Sequence, residues 1–185
     1  VKGKCVTIIG TAGSGKSTLV KYLFVNAIKT KFKIPIKVEL RYLNDYSGSL
    51  LSYIEEEIIK FTGIAESDKI IERMFLSGDF ILFFDGYDEV SSQKKETLTK
   101  DICRITKKYP DNYYILTSRP FVNIDMIENF VNYHVCDLSE DEIVAFVNKQ
   151  FPDSERELAD KIIQTIKDEN SKTYRSFLSN PLLLS

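Results

Sequence analysis

The chain has 185 residues, of which 43% are hydrophobic and 28% are charged, and its 25 basic and 27 acidic side chains leave a formal net charge of -2. This balance is typical of a globular domain and excludes a disordered, collagen-like or coiled-coil chain. With so small a net charge and no block of like charges, the segment shows no evident charge pattern for constitutive binding to nucleic acid or to an anionic membrane, and a local basic patch stays open as an alternative. No membrane-length apolar run and no signal peptide is visible, so we expect a cytoplasmic protein.

Apolar segments of strand length alternate with segments of helical periodicity along most of the chain. The strand-like segments cover residues 5–9, 36–42, 80–84, 113–117 and 133–138. This alternation is typical of βαβ units and predicts an α/β fold with a mostly parallel five-stranded sheet. The segment 36–42 alternates apolar and charged residues, which predicts a half-exposed strand at a sheet edge.

The chain after residue 151 shows helical periodicity only. We therefore predict an α/β domain over residues 1–150 and the beginning of a small helical domain over residues 151–185. Because the chain starts at Val1 instead of Met and stops at Ser185 within an apolar stretch, we expect it to be a segment of a longer protein.

The cysteines and the histidine offer little chemistry. Cys5, Cys103 and Cys136 lie far apart without a CxxC pair, which predicts neither a disulfide framework nor a zinc site. The lone histidine, His134, lies in a strand-like stretch and is interpreted as an ordinary packed or edge residue without a functional role.

A phosphate-binding loop is predicted between the first strand and the first helix. Its glycines let consecutive backbone N–H groups turn toward an anion, and the following helix directs its positive dipole end to the same point. Lys16 is positioned for the β- and γ-phosphates, and the Ser17 hydroxyl is a Mg²⁺ ligand. The residues that match G-x-x-x-x-G-K-[ST] are Gly10, Thr11, Ala12, Gly13, Ser14, Gly15, Lys16, Ser17 and Thr18.

Acidic residues follow the third strand. Asp85 ends the apolar segment 80–84, where a carboxylate is costly unless it faces an opening or a cation, so we predict that it binds the Mg²⁺. Asp88 is the predicted base that orients the attacking water, and Glu89 is the second choice. The alternative interpretation of both residues is that their negative charges stabilise the start of the next helix.

Arg119 follows the fourth strand, whose carboxyl end is predicted to face the phosphate loop. We predict that Arg119 contacts the γ-phosphate, with a loop salt bridge as the alternative. Arg41 and Arg73 are further candidates for this role. The guanine-reading sequence N-K-x-D is absent, because Asn148-Lys149 is followed by Gln and Phe, and this favours ATP and ADP as ligands.

Five segments together resemble the NACHT domain of STAND-class signalling NTPases, a family that includes NOD-like immune receptors and bacterial antiphage proteins. The segments are GTAGSGKST, VELRYLNDYSGSLLSYI, ILFFDGYDEV, ILTSRP and FLSNPLLLS. The resemblance implies a three-layer P-loop NTPase in which the Walker A strand lies beside the sensor 1 strand. It implies further that the sensor 1 strand lies beside the Walker B strand and that the second strand is outermost.

The resemblance also assigns residues to these roles. Residues 10–18 are Walker A, residues 85–89 are the extended Walker B motif, and Arg119 is the sensor 1 residue. Pro181 matches a proline that in the family lies near the adenine ring, and a simple helix stop is its alternative interpretation.

The family implies a switch that binds ATP or ADP with Mg²⁺ and hydrolyses ATP slowly in signalling, innate immunity or antiviral defence. Its ATP state is expected to be a homo-oligomer, with effector and sensor domains outside this segment. Two alternatives stay open. One is a small-molecule kinase, although the chain after residue 120 offers only Arg156 and Arg175 for a phosphate-binding lid. The other is a nucleotide-binding scaffold that does not hydrolyse.

Overall fold

The strands and helices alternate as the sequence predicts. The structure is a computed structural model that describes residues 3–62, 68–120 and 127–167. The strands are β1 (Cys5–Ile9), β2 (Ile34–Glu39), β3 (Phe80–Asp85), β4 (Tyr113–Ser118) and β5 (Val131–His134). The helices are α1 (Lys16–Thr30), α2 (Leu50–Thr62), α3 (Asp68–Ser77), α4 (Ser92–Lys108), α5 (Glu140–Gln150) and α6 (Arg156–Lys167). Short 3₁₀ turns cover Leu40–Asn44, Tyr87–Glu89 and Asp153–Glu155.

All five strands form one parallel sheet in the order β2-β3-β4-β1-β5. This order confirms the predicted one, with the strand before the phosphate loop beside β4, β4 beside β3, and β2 at an edge. The register pairs Glu39 with Asp85 and Ile9 with Ser118. The carboxyl ends of these four strands therefore meet at one edge of the sheet.

Both faces of strand β3 pack against apolar residues. Alternate side chains of a strand point to opposite faces. Phe80, Leu82 and Phe84 accordingly belong to a large apolar cluster that includes residues of α2, α3 and α4. Ile81 and Phe83 pack on the other face with two residues of α1. Helices on both faces of the sheet produce the predicted three layers, and burial on both faces explains the unbroken apolar run.

Strand β2 ends earlier than predicted. The sequence pattern extended the strand over residues 36–42, whereas β2 stops at Glu39 and a 3₁₀ turn follows. Leu40 and Leu43 are both buried. Side chains three residues apart share a face of a 3₁₀ turn, so this conformation buries both leucines where a strand would separate them.

The chain divides into two compact units, one of Val1–Gly10 with Lys16–His134 and one of Thr11–Gly15 with Val135–Ser185. In the second unit, α5 and α6 share an apolar cluster that contains Ile143 and Ala159. The domain boundary near residue 151 stays a prediction. The part of the chain that the structure describes contains no helix long and apolar enough to cross a membrane.

A buried asparagine joins the helical layer to the sheet. The Asn112 side chain is completely buried. Its amide nitrogen donates to the backbone oxygens of Phe75 at 2.7 Å and Tyr109 at 3.2 Å, and its oxygen accepts from the Phe80 N–H at 3.0 Å. These bonds hold the end of α3, the end of α4 and the start of β3 together.

We expect Asn112→Ala to lower the free energy of unfolding by about 2–4 kcal/mol, because it removes all three bonds and leaves their backbone partners unsatisfied in the interior. The control is Asn26→Ala on the exposed side of α1, which should change stability by less than about 0.5 kcal/mol. Urea unfolding of the two variants measures both values. Equal midpoints would contradict the structural role of Asn112.

Candidate functional site

The loop between β1 and α1 has the backbone geometry of a phosphate-binding loop. Gly13 and Gly15 have φ values of 78° and 86°, in the region that favours glycine, and the Ser14 N–H donates to the Thr11 oxygen at 3.3 Å. Beyond its neighbours in the chain, Gly15 has no described atom within 4 Å of the position that a Cβ would occupy. The positive φ therefore favours glycine at this position, and the space beside it is open among the described residues.

Lys16 begins α1, and its ammonium group donates to the Gly10 carbonyl at 2.6 Å. Burial lowers the pKa of Lys16 below its ordinary value, and the negative charges of Asp88, Asp85 and Glu89 offset this only in part. Lys16 therefore lies within the electrostatic field of all the acidic residues that the sequence assigned to the site.

Asp85 is held by a threonine that the sequence analysis did not identify. The Thr117 hydroxyl donates to Asp85 Oδ1 at 2.6 Å and accepts from the Gly86 N–H at 2.8 Å. Thr117 is buried, and the Asp85 side chain is 12% exposed. The hydroxyl fixes the carboxylate and leaves Oδ2 available to a cation. The sequence feature that could have identified Thr117 is its position as a polar residue at the carboxyl end of a central strand.

Asp88 and Arg119 are brought together by the ends of β3 and β4. The Arg119 backbone N–H donates to Asp88 Oδ1 at 3.0 Å, and Arg119 Nε lies 3.0 Å from Asp88 Oδ2. The loop salt bridge that the sequence left open for Arg119 is thus present. Asp88 is 13% exposed and Arg119 is 56% exposed, so the guanidinium is the more accessible partner.

Glu89 points in a different direction from Asp88. Gly86 has a φ of 83° and starts the 3₁₀ turn Tyr87–Glu89. A Cβ at Gly86 would lie 3.1 Å from Glu89 Cδ, so the Glu89 side chain lies over the glycine. Glu89 contributes to a polar cleft of about 220 Å³. The residues that line this cleft are Ser17, Lys21, Lys37, Glu39, Arg41, Asp85, Gly86 and Glu89.

Charged residues of β2 also reach this cleft. Lys37 Nζ lies 3.1 Å from Glu39 Oε1 and 3.4 Å from Asp85 Oδ2, and Arg41 pairs with Glu39. Burial lowers the pKa of Lys37, but the hydrogen bond to Glu39 and the charge of Asp85 outweigh it and raise the pKa. For Lys37 and Glu39 the sequence pattern indicated only a half-exposed strand face, whereas Arg41 was a candidate for contacting the γ-phosphate. Arg73, by contrast, is exposed on α3 and does not line the cleft.

The donor set of the cleft fits Mg²⁺. Among the described residues, no group of three or more His, Cys, Asp and Glu side chains is placed to hold a metal ion by itself. Ser17 and Asp85 nevertheless supply a hydroxyl and a carboxylate to the same cleft. Mg²⁺ in nucleotide sites commonly takes one or two protein ligands and completes its shell with phosphate and water.

A parallel sheet in this order, a glycine loop after β1 and an acidic residue at the end of β3 define a P-loop NTPase fold. A family model described as the NACHT domain matches residues 4–154, and the chain belongs to this family. It is thereby a nucleotide-binding module of the P-loop NTPase class. Pro181 lies outside the matched range and outside the described residues.

The solved structures to which the chain is similar are distant in sequence. A Walker-type ATPase of Pyrococcus abyssi is 16% identical with a TM-score of 0.53, over 90% of this chain and 58% of the other. Drosophila ORC, in a structure bound to DNA, is 11% identical with a TM-score of 0.52, over 95% and 49%. A STAND protein with a tetratricopeptide repeat sensor from Pyrococcus horikoshii is 20% identical with a TM-score of 0.48, over 89% and 25%.

The chain thus spans less than two thirds of the length of each of these proteins. No curated protein sequence matches the chain.

We expect Thr117→Val to weaken Mg²⁺-dependent ADP binding by about tenfold, because Asp85 loses a hydrogen bond worth about 1.5 kcal/mol and is no longer held in place. ADP binding in EDTA should change by less than about twofold. Thr117→Ser keeps the hydroxyl and is the matched control. Calorimetry with and without Mg²⁺ measures both affinities, and equal behaviour of the valine and serine variants would contradict this role.

Proposed function

We propose that this NACHT domain is an ATP- and ADP-binding switch that hydrolyses ATP slowly with Mg²⁺. The observation that carries the proposal is the cleft in which Ser17 and Asp85 meet Glu89, next in the chain to the Asp88–Arg119 pair. A hydroxyl, a metal-binding carboxylate, a second carboxylate and an arginine are the groups that phosphoryl transfer to water requires.

Nucleotide binding is assigned to residues 10–18. Backbone N–H groups of the glycine loop and the start of α1 bind the phosphates, and Lys16 contacts the β- and γ-phosphates. Ser17 and Asp85 hold Mg²⁺, which neutralises phosphate charge when it is bound. Pro181 is proposed to lie near the adenine ring, on the strength of the family resemblance alone.

The roles of Asp88 and Glu89 depend on what Arg119 contacts. Arg119 is paired with Asp88, and Glu89 lines the cleft. A γ-phosphate carries more negative charge than a carboxylate, so the exposed guanidinium of Arg119 is drawn to it and frees Asp88. Asp88 then accepts a proton from the attacking water, with Glu89 as the alternative base.

The exchange of partners at Arg119 gives the switch its two states. ADP has no γ-phosphate and leaves the Asp88–Arg119 pair intact, whereas ATP separates it. In a longer protein, this difference would control a homo-oligomer that activates an effector in the cytoplasm, in signalling or in immune or antiviral defence. This last step rests on the family resemblance.

We expect Lys16→Met to weaken the binding of both ATP and ADP by about 100-fold, because the phosphates lose a charged hydrogen bond in a partly buried site. Lys29→Met, in the last turn of the same helix, removes the same charge from an exposed position and should change affinity by less than about twofold. Calorimetry of the 185-residue chain measures both variants. If the unmodified chain binds neither nucleotide, the proposed function is wrong.

We expect Asp88→Asn to slow hydrolysis by about 100-fold without weakening ATP binding, because the general base is lost while Asp85 is unchanged. Glu89→Gln is the matched comparison and should slow hydrolysis less. Single-turnover assays with labelled ATP separate the chemical step from nucleotide exchange. Loss of turnover only in the Glu89 variant would assign the base to Glu89, and an inactive parent chain would indicate a scaffold that does not hydrolyse.

A further inference from the structure

The ammonium group of Lys37 lies beside Asp85, the carboxylate that is proposed to bind the metal ion. Asp85 Oδ1 already accepts the Thr117 hydrogen bond, so Oδ2 is the oxygen left for a further partner. Lys37 Nζ lies 3.4 Å from that oxygen. The Lys37 side chain is 25% exposed and that of Asp85 is 12% exposed, so water screens the attraction between their charges only in part.

A second carboxylate lies within reach of the same ammonium group. Lys37 Nζ is 3.1 Å from Glu39 Oε1, so it contacts Glu39 and Asp85 at once. Lys37 and Glu39 are two residues apart on β2, and alternate side chains of a strand share one face. Lys37 can therefore leave Asp85 and keep a carboxylate partner with only a small rotation of its side chain.

The charges that line the cleft balance in the absence of a metal ion. Three cationic side chains face three carboxylates, which makes the lining formally neutral. They are Lys21, Lys37 and Arg41 against Glu39, Asp85 and Glu89. A divalent cation that enters this lining must displace a cation from Asp85, because like charges at one carboxylate repel.

We propose that Lys37 is a positioning residue that holds Asp85 in place of the metal ion and moves to Glu39 when Mg²⁺ binds. The inference rests on the proposed function of Ser17 and Asp85 as metal ligands. It adds that Lys37 competes with Mg²⁺ for Asp85. Lys37 lowers the affinity of the site for Mg²⁺, whereas Glu39 raises it by accepting the displaced ammonium group. The two residues of one ion-pair network therefore have opposite effects.

The exchange also connects the metal site to the edge of the sheet. Glu39 pairs with Arg41, whose guanidinium carbon lies 5.1 Å from the centre of the Tyr42 ring. Arg41 and Tyr42 are exposed, and β2 is an edge strand. Lys37 contacts Glu39 Oε1 and Arg41 contacts Glu39 Oε2, so one ion-pair network joins Asp85 to an exposed arginine at the sheet edge.

The test measures the dissociation constant of ADP in EDTA divided by that in Mg²⁺, by calorimetry on the 185-residue chain. A higher ratio means that Mg²⁺ strengthens ADP binding more. A lost charge that acts directly on the phosphates changes both dissociation constants alike, so it leaves their ratio unchanged. Lys37→Met should raise it by about fivefold, since a partly exposed ion pair is worth about 1 kcal/mol. Lys37→Arg keeps the charge and should leave the ratio at or below that of the parent chain.

Lys29→Met is the control, because Lys29 is exposed in the last turn of α1 and does not line the cleft. It removes the same charge and should change the ratio by less than about twofold. Glu39→Gln should lower the ratio by about fivefold, since Lys37 then has Asp85 as its remaining carboxylate. In a chain that already carries Lys37→Met, Glu39→Gln should have little effect, which a double-mutant cycle detects.

The outcomes separate the two proposals. A parent chain that binds no ADP, or binds it equally with and without Mg²⁺, refutes the proposed function. A parent chain that responds to Mg²⁺ while Lys37→Met leaves the ratio unchanged, or matches Lys29→Met, refutes the role of Lys37 alone. If Lys37→Met lowers the thermal stability too far to measure, Glu39→Gln in the parent chain decides the question, because an unchanged or raised ratio in that variant refutes the role of Lys37.

Discussion

A carboxylate at the end of the most buried strand is the constraint on which the site depends. The five residues of β3 before Asp85 are all buried, and the Asp85 side chain itself is only 12% exposed. A charged group there is costly unless hydrogen bonds and cations replace the lost water. Thr117 and Lys37 provide these partners, and both come from strands that flank β3. The parallel order of the sheet thus makes it possible to hold this charge.

Much of the fold was predictable because it depends on local patterns. An unbroken apolar run predicted β3 as a central strand, and the spacing of glycines before Lys16 predicted the phosphate loop. The contacts of Lys37 were not predictable in this way. Alternation on β2 indicates which side chains share a face, but it does not indicate that one of them reaches a carboxylate on the next strand. That contact depends on the pairing of β2 with β3, which places Lys37 and Glu39 beside the end of β3.

The different orientations of Asp88 and Glu89 have a backbone cause. Gly86 adopts a φ of 83°, which residues other than glycine rarely adopt, and the chain turns sharply after Asp85. The turn directs Asp88 to Arg119 and Glu89 to the cleft. Spacing in the sequence cannot separate two acidic residues that are adjacent in the chain, because their directions depend on this turn.

Two carboxylates of the site, Asp85 and Asp88, are each paired with a cation from a different strand end. Lys37 pairs with Asp85 and Arg119 pairs with Asp88. In the proposed switch, the metal ion would compete with Lys37 for Asp85, and the γ-phosphate would compete with Asp88 for Arg119. ADP would leave the Asp88–Arg119 pair in place, whereas ATP would separate it. The free energy that separates the two proposed states would therefore include exchanges between ion pairs of residues on or next to β2, β3 and β4.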